Sequence, residues 1–308
     1  MTGAVTSIPL ESLGVLRVRG ADAVSFLQGQ LSNDLARLTP QRSLLAGYHN
    51  PQGRVLALLR LLELARDDLI AVLPRELSAP IVQRLAKFVL RAQVRLGDES
   101  ALWAVAGLVS AGPPAAQPTP ACARWQGLPD EPDGVARADD SIVVRLPGAR
   151  ARWLAVGPAG RSGAAAAPAL LELWQRLAIE AGEPQVYAAT SGEFVAQMLN
   201  LDALGAIAFE KGCYTGQEVI ARAHYRGRVK RRLQRFVVQG SAGLAPGTAA
   251  ELADGRAVRV VDAVQRADGS CEFLAVAPLQ ADPGASAAPP SARILAARQL
   301  ALPYPLPE

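Results

Sequence analysis

Two histidines and three cysteines are all that this 308-residue chain offers for soft metals or disulfides. With only His49 and His224, a multi-histidine metal site is excluded. Cys122, Cys213 and Cys271 stand far apart and form no C-x-x-C pair, so neither a disulfide framework nor a zinc ribbon is indicated. No apolar run approaches the roughly 18 residues needed to span a bilayer. The opening "MTGAVTSIPLESLG" lacks the basic region and apolar stretch of a secretory signal. "GADAVSFLQGQ" lacks both the glycine pattern and the lysine of a phosphate loop. These absences predict a reduced, cytoplasmic protein without membrane contact. Aromatics are sparse, at 5%, so the cores should be built from Leu, Val and Ala.

What is present is a large apolar fraction, 50%, enough to fill the cores of about two or three domains. A net charge of +4 is too small to argue for nucleic acid by itself. "VLRVR" (15–19) alternates and reads as a strand. Asp22 stands at an N-cap position before Phe26, Leu27, Leu31, Leu35 and Leu38, which predicts a helix over 22–38. "HNPQG" (49–53) reads as a turn; after it "RVLALLRLLEL" (54–64) and "LIAVL" (69–73) predict a hairpin joined across "ARDD", although the first run is apolar on both faces, which leaves a helix as its alternative. Ser78 is placed to cap a helix burying Ile81, Val82, Leu85, Phe88 and Val89, with a strand around Val94 after it. "SIVVRL" and "RWLAV" predict a second hairpin, Pro168 opens a helix ending near Gly182, and Ser191 is placed to cap a short helix carrying Phe194 and Met198. The stretches 110–121, 157–168 and 281–290 read as loops. After Arg235, short strands separated by Gly, Pro and Asp predict a small all-β module of the barrel kind in about the last 70 residues. The fold class is α+β followed by all-β.

Three features carry chemistry. Cys213 follows Lys211 and precedes a run of cations, and positive charge favours the thiolate that a nucleophile or metal ligand needs. Gly212 and Gly216 would let the backbone turn and expose the sulfur. The alternative is a small buried hydrophobe. A cluster commonly takes four thiolates, so a permanent intrachain iron–sulfur cluster is not expected from one cysteine. Second, Arg222, Arg226, Arg228, Lys230, Arg231, Arg232 and Arg235 form a basic run with no acidic residue between Glu218 and Glu251. It reads as a contact for an anionic ligand tail, RNA or an acidic partner, or as a solvated strand face. Third, Trp174 and Glu180 share the helix from Pro168. Trp174 at helical spacing reads as packing. Glu180 at the helix end is disfavoured by the dipole unless a donor-rich ligand satisfies it.

"KGCYTGQE" (211–218) followed by "ARAHYRG" (221–227) resembles the signature of the YgfZ family, folate-binding proteins related to the T-protein of the glycine cleavage system. "GADAVSFLQGQLSNDL", "GYHNPQGRVLALLRL", "IEAGEP" and "FVAQMLNLDALGAIAF" match in the same order, so the resemblance covers most of residues 10–235. It implies an aminomethyltransferase-like arrangement of three domains around a central folate pocket. Residues 1–235 would hold two interleaved α+β domains, with the inserted one at about 50–140, and 236–308 a C-terminal β-barrel. It further implies support of iron–sulfur cluster assembly or repair in client enzymes, tRNA-modifying enzymes included. Tetrahydrofolate or another folate would be the cofactor, a transient cluster would be handled, and cluster carriers or clients would be the partners.

By the same resemblance Glu180 reads the pterin edge, Trp174 packs on the ligand rings and Arg226 is a candidate for the anionic tail. Cys213 is a functional thiol at the pocket rim, in a signature loop of Lys211, Gly212, Tyr214, Gly216, Gln217 and Glu218. The chain departs from relatives in two places. Leu13 stands where some family members carry a second ring-packing tryptophan. Ala57 and Leu58 stand where the T-protein carries acids, so aminomethyl transfer through those carboxylates is not expected. A one-carbon transferase using another acid and a tRNA-binding module are the alternative readings. Direct nucleic-acid binding is the weaker, because only Tyr225 and Phe236 are interleaved for stacking.

Overall fold

A computed structural model of the chain describes residues 5–110, 127–138, 140–160, 165–240, 243–280 and 293–307. Cys122, nearly all of the loops expected at 110–121 and 281–290, and residues 161–164 of the third lie outside them. The first two strands, β1 (Val5–Pro9) and β2 (Leu13–Arg19), join different sheets. β2 joins β3 (Leu44–His49), β4 (Val55–Ala65), β5 (Asp68–Pro74) and β6 (Arg95–Asp98) in an antiparallel sheet ordered β3-β4-β5-β2-β6, in which it pairs with β5 and β6. β1 runs antiparallel to β7 (Trp103–Ser110), from Val5↔Ser110 to Pro9↔Ala106. That sheet continues through β10 (Arg152–Pro158) and β9 (Ser141–Arg145) to β8 (Val135–Ala138). The division therefore differs from an insertion at about 50–140: residues 13–98 supply one sheet, and 5–9 with 103–158 supply the other.

β4 shows why its periodicity was ambiguous. It is buried from Val55 to Leu62, because both of its faces are covered. Leu59 and Leu61 join the cluster of Leu16, Leu27 and Ala71, whereas Leu62 joins that of Ile8, Ile70 and Val156. Arg60 is the one charged residue in that buried stretch.

The helix expected over 22–38 is cut short. α1 spans only Ala23–Gln28, followed by a 3-10 turn at Leu35–Arg37. Polar side chains between them offer the backbone other partners. Asn33 Nδ2 donates to Leu45 O and Gly205 O, Gln28 Oε1 accepts from Leu35 N, and Asp34 accepts from Ala36 N. Asp22 does not cap; its carboxylate accepts from Gln93 N at 2.7 Å. Nor does Ser78 begin its helix: α2 spans Arg75–Ala86, with Ser78 buried inside it, 3.5 Å from Ser100 Oγ. Ser191 Oγ donates to Leu56 O, and the short helix after it is a 3-10 turn, Ala196–Leu199. α3 (Pro168–Glu180) opens at its proline as expected, and α4 (Gln217–Tyr225) carries part of the basic run.

The last sheet holds β11 (Arg231–Val238), β12 (Ala249–Leu252), β13 (Ala257–Gln265), β14 (Cys271–Pro278), β15 (Arg293–Leu295) and β16 (Arg298–Leu300). Its order, β15-β12-β13-β14-β11-β16, puts two strands separated by Ala296 and Ala297 at opposite edges. A two-residue link reaches only about 10 Å, so the sheet must curl until its edges meet. Phe236 and Phe273 stack inside it, with ring centroids 5.4 Å apart. The sheet begins at Arg231, inside the region expected to precede the barrel.

Arg232 fastens this sheet to the preceding chain. Its guanidinium donates to both carboxylate oxygens of Asp202, at 3.0 and 2.9 Å, and to Gln197 O at 3.2 Å, and both side chains of the ion pair are buried. Replacing Asp202 with Asn preserves shape but leaves a buried guanidinium without its counter-charge. Urea unfolding of Asp202→Asn is expected to show a loss of about 3 kcal/mol or more.

Candidate ligand cavity and cysteine loop

The three sheets and α3 enclose a cavity of ≈ 690 Å³, within the range usual for small-molecule sites. Much of its wall is apolar: Leu10, Leu13, Leu45, Leu58, Leu154 and Trp174 all contribute. Trp174 projects from α3 over β7, where Gly107 makes room; a Cβ there would lie 2.4 Å from the indole. On the indole also lies Arg152, its guanidinium carbon 5.4 Å from the ring centroid.

Arg152 and Arg60 reach the cavity from different sheets and converge on Glu183. Arg60 Nη2 lies 3.2 Å from Glu183 Oε1, Arg152 Nη2 bonds Oε2, and Arg60 Nη1 also holds Asp133. Burial works against the Glu183 charge, but the two arginines outweigh it and hold the carboxyl below its usual range. Arg152 Nε is buried without an acceptor. Across the cavity, Asp262 is turned inward beside the β13 bulge and accepts from Gln175 Nε2 at 2.8 Å and Tyr187 Oη at 3.1 Å. Burial pushes the Asp262 carboxyl up, against those bonds and the Ala263 amide. Burial first, and then Asp262, raise the Tyr187 hydroxyl.

Of the residues singled out in the sequence, Trp174, Leu13 and Leu58 line this cavity, while Ala57 is buried in the core. Glu180 is not part of the lining: its carboxylate is taken by Arg176 one helical turn back. Glu183, three residues later in the same "IEAGEP" stretch, is the acid that reaches the cavity. The turn between them depends on Gly182, at φ +63°, and is held from outside by Tyr304, whose hydroxyl donates to Gly182 O at 2.7 Å. Arg226 is exposed and does not line the cavity, and the same holds for Cys213. The sequence did carry a signal for Arg60, a lone cation inside an apolar strand that requires a buried carboxylate nearby. Arg152, Gln175, Tyr187 and Asp262 had no comparable signal.

The cysteine loop is built to hold its backbone and present the thiol. Lys211 does not face outward as a free cation: Nζ donates to the carbonyls of Gln28, Leu31 and Asn33 at 2.6, 2.6 and 2.9 Å, and lies 5.0 Å from the Tyr214 ring centroid. Burial brings its pKa down to about 8, opposed by Asp34. Tyr214 is buried, and burial pushes its hydroxyl up to about 12. Gly216, at φ +84°, precedes α4, and a Cβ there would lie 2.6 Å from Asn50 O, so the "NPQG" and "TGQ" turns pack backbone to backbone. Gly212 has no such constraint; no atom lies within 4 Å of a Cβ built on it. Gln217 Nε2 reaches Lys211 O at 3.5 Å, and Glu218 is exposed in the first turn of α4, where the helix dipole favours an anion. Between these anchors Cys213 is exposed. Among the described residues no group of His, Cys, Asp and Glu is arranged to hold a metal ion, and no helix is long and apolar enough to cross a membrane.

Comparison with known proteins agrees with this architecture. The tRNA-modifying protein YgfZ of Hamiltonella defensa subsp. Acyrthosiphon pisum (strain 5AT) is 33% identical over 287 residues, 88% of this chain and 82% of that protein. The crystal structure of glycine cleavage system aminomethyltransferase T from Bartonella henselae superposes with a TM-score of 0.65 at 16% identity, over 90% of this chain and 79% of that one, a likeness of fold. A heterotetrameric sarcosine oxidase from Corynebacterium sp. U-96 overlaps 51% of this chain and 77% of its own at 14% identity, with a TM-score of only 0.33. No family model matches the chain.

Beneath the cysteine loop His49 is buried, its ring centroid 6.3 Å from that of Tyr214, with neither nitrogen hydrogen-bonded. Burial pushes its pKa from 6.5 down to about 3. The folded chain therefore keeps His49 neutral where the unfolded chain already binds a proton. Stability is present in full above about 6.5 and is lost as the pH falls toward the folded value. Urea unfolding between pH 7 and 5 is expected to show a fall approaching about 1.4 kcal/mol per unit below 6.5, and His49→Phe should flatten it.

Proposed function

This chain belongs to the YgfZ family, and on that premise we propose that it is a folate-binding accessory protein supporting assembly or repair of iron–sulfur clusters in client enzymes, tRNA-modifying enzymes among them. The observation that carries the folate reading is the cavity in which Trp174, Arg152 and Glu183 meet. A pterin edge presents adjacent N–H donors beside a carbonyl acceptor. Glu183 accepts from the donors, and Arg152 Nε, buried with no acceptor of its own, donates to the carbonyl. Trp174 supplies a flat wall for the ring system, while Leu13 gives an aliphatic surface where some relatives have a second indole. Bound there, a folate supplies a one-carbon carrier held away from solvent.

Cys213 serves a different partner, because it is presented at the surface and not to the cavity. A single thiolate can contribute one ligand to a cluster that commonly needs four, so a client or carrier furnishes the rest. A reduced cytoplasmic setting suits that free thiol. With Leu58 in the cavity wall where the T-protein resemblance places an acid, aminomethyl transfer through that position is not expected.

Calorimetry with tetrahydrofolate tests the pocket. Glu183→Gln, which keeps shape, is expected to weaken binding about tenfold or more, the scale of one charge-assisted bond, whereas Glu180→Ala should change it less than twofold. Strong loss in Glu180→Ala with none in Glu183→Gln would reverse the assignment, and no binding by the parent protein would remove the folate reading. For the thiol, Cys213→Ser is expected to keep folate affinity and lose support of iron–sulfur client activity in a null strain; full rescue by that variant would rule Cys213 out.

A further inference from the structure

The basic run divides in the fold. Arg232 and Arg235 are spent on Asp202 and Glu272 and belong to the architecture. Arg222, Arg226, Arg228, Lys230 and Arg231 are all exposed, and among the described residues none of the five has an ion-pair partner. They follow one another from the last turn of α4 to the first residue of β11. Two exposed acids, Glu210 and Glu218, flank the surface, and although Glu218 lies four residues before Arg222 the two form no ion pair.

An aromatic stack stands among these cations. Phe209 packs on the main core and His224 stacks on it, with centroids 3.7 Å apart and planes 13° from parallel. Tyr225 meets both rings edge-on, at 4.7 Å from His224 and 6.1 Å from Phe209, and is 64% exposed. Core packing explains Phe209, but it does not explain a tyrosine supported on two sides and left open to solvent. Exposed cations that follow one another along the chain beside an open aromatic suit a phosphate backbone with unstacked bases. An acidic peptide would use the cations and have no use for the rings.

We propose that this surface, from Arg222 to Arg231 with Tyr225, binds single-stranded nucleic acid, its phosphates on the cations and a base against Tyr225. The surface is separate from the cavity, so the inference does not depend on folate binding. Cys213, also exposed, lies in the segment that joins Phe209 to α4.

The test is fluorescence anisotropy of the full chain with a labelled RNA hairpin bearing a seven-nucleotide loop, the same sequence as single-stranded DNA, and a fully paired RNA duplex, over about 50–200 mM salt. Five phosphate contacts predict a slope of log affinity against log salt of about −3.5, and Arg226→Ala/Arg228→Ala/Arg231→Ala should reduce it to about −1.4. Tyr225→Ala should weaken binding about 5- to 150-fold at an unchanged slope, with Tyr225→Phe close to the parent. Preference for the hairpin over DNA assigns the surface to RNA; equal binding assigns it to single strands of either kind. Tetrahydrofolate affinity, measured on the same preparations, should be unaffected, which separates failure here from failure at the cavity. No binding at 50 mM salt overturns the proposal, and so does duplex binding as tight as the hairpin. Equal competition by poly-glutamate with no effect of Tyr225→Ala also overturns it, in favour of an acidic protein partner.

Discussion

Glu183 lies between Arg60 of one sheet and Arg152 of another, and the cavity depends on that arrangement. Two guanidiniums cannot enter an apolar wall without a shared anion. The carboxylate that serves them also fixes the turn after α3 against both sheets. Removing any member leaves a buried charge, so the cluster ties the architecture of the cavity to its polarity. The same groups line the cavity: the Glu183 carboxylate, Arg152, whose Nε is buried without an acceptor, and the Trp174 indole on which that guanidinium lies.

A second set of constraints governs the opposite side of the chemistry. Lys211, caged by three carbonyls, holds the cysteine loop down on α1 and the segment after it. Gly216 packs it on the "NPQG" turn, and Tyr214 is buried beneath it. Lys211, Tyr214 and Gly216 of the motif are thus anchors, and Cys213 is exposed between them. The cavity and the thiol are separate features of the fold: Cys213 is exposed and is not part of the cavity wall.

Legibility in the sequence followed the reach of the interactions. The hairpin of β4 and β5, the helix opening at Pro168 and the change to short strands near residue 235 all rest on neighbours close in the chain, and local patterns revealed them. The helix expected over 22–38 failed because Asn33 and Asp34 found partners that periodicity does not register, including carbonyls 12 and 172 residues away. Glu180 was singled out where Glu183 reaches the cavity, since only the turn at Gly182 decides which of two nearby acids points inward.

The sequence by itself determined the family, through a cysteine octapeptide supported by ordered flanking blocks, and with it the α+β and all-β composition. It also determined that the basic run has few acids to neutralise it. Only the tertiary structure decided that Arg232 and Arg235 are consumed by buried acids, while five neighbours have no ion-pair partner among the described residues. It alone divided the sheets between β1 and β2, and brought Arg60, Arg152 and Glu183 together across 123 and 31 residues. The reason is physical. A side chain's partner is set by which surfaces the core brings together, and burial makes an unpaired charge costly only after that core has formed.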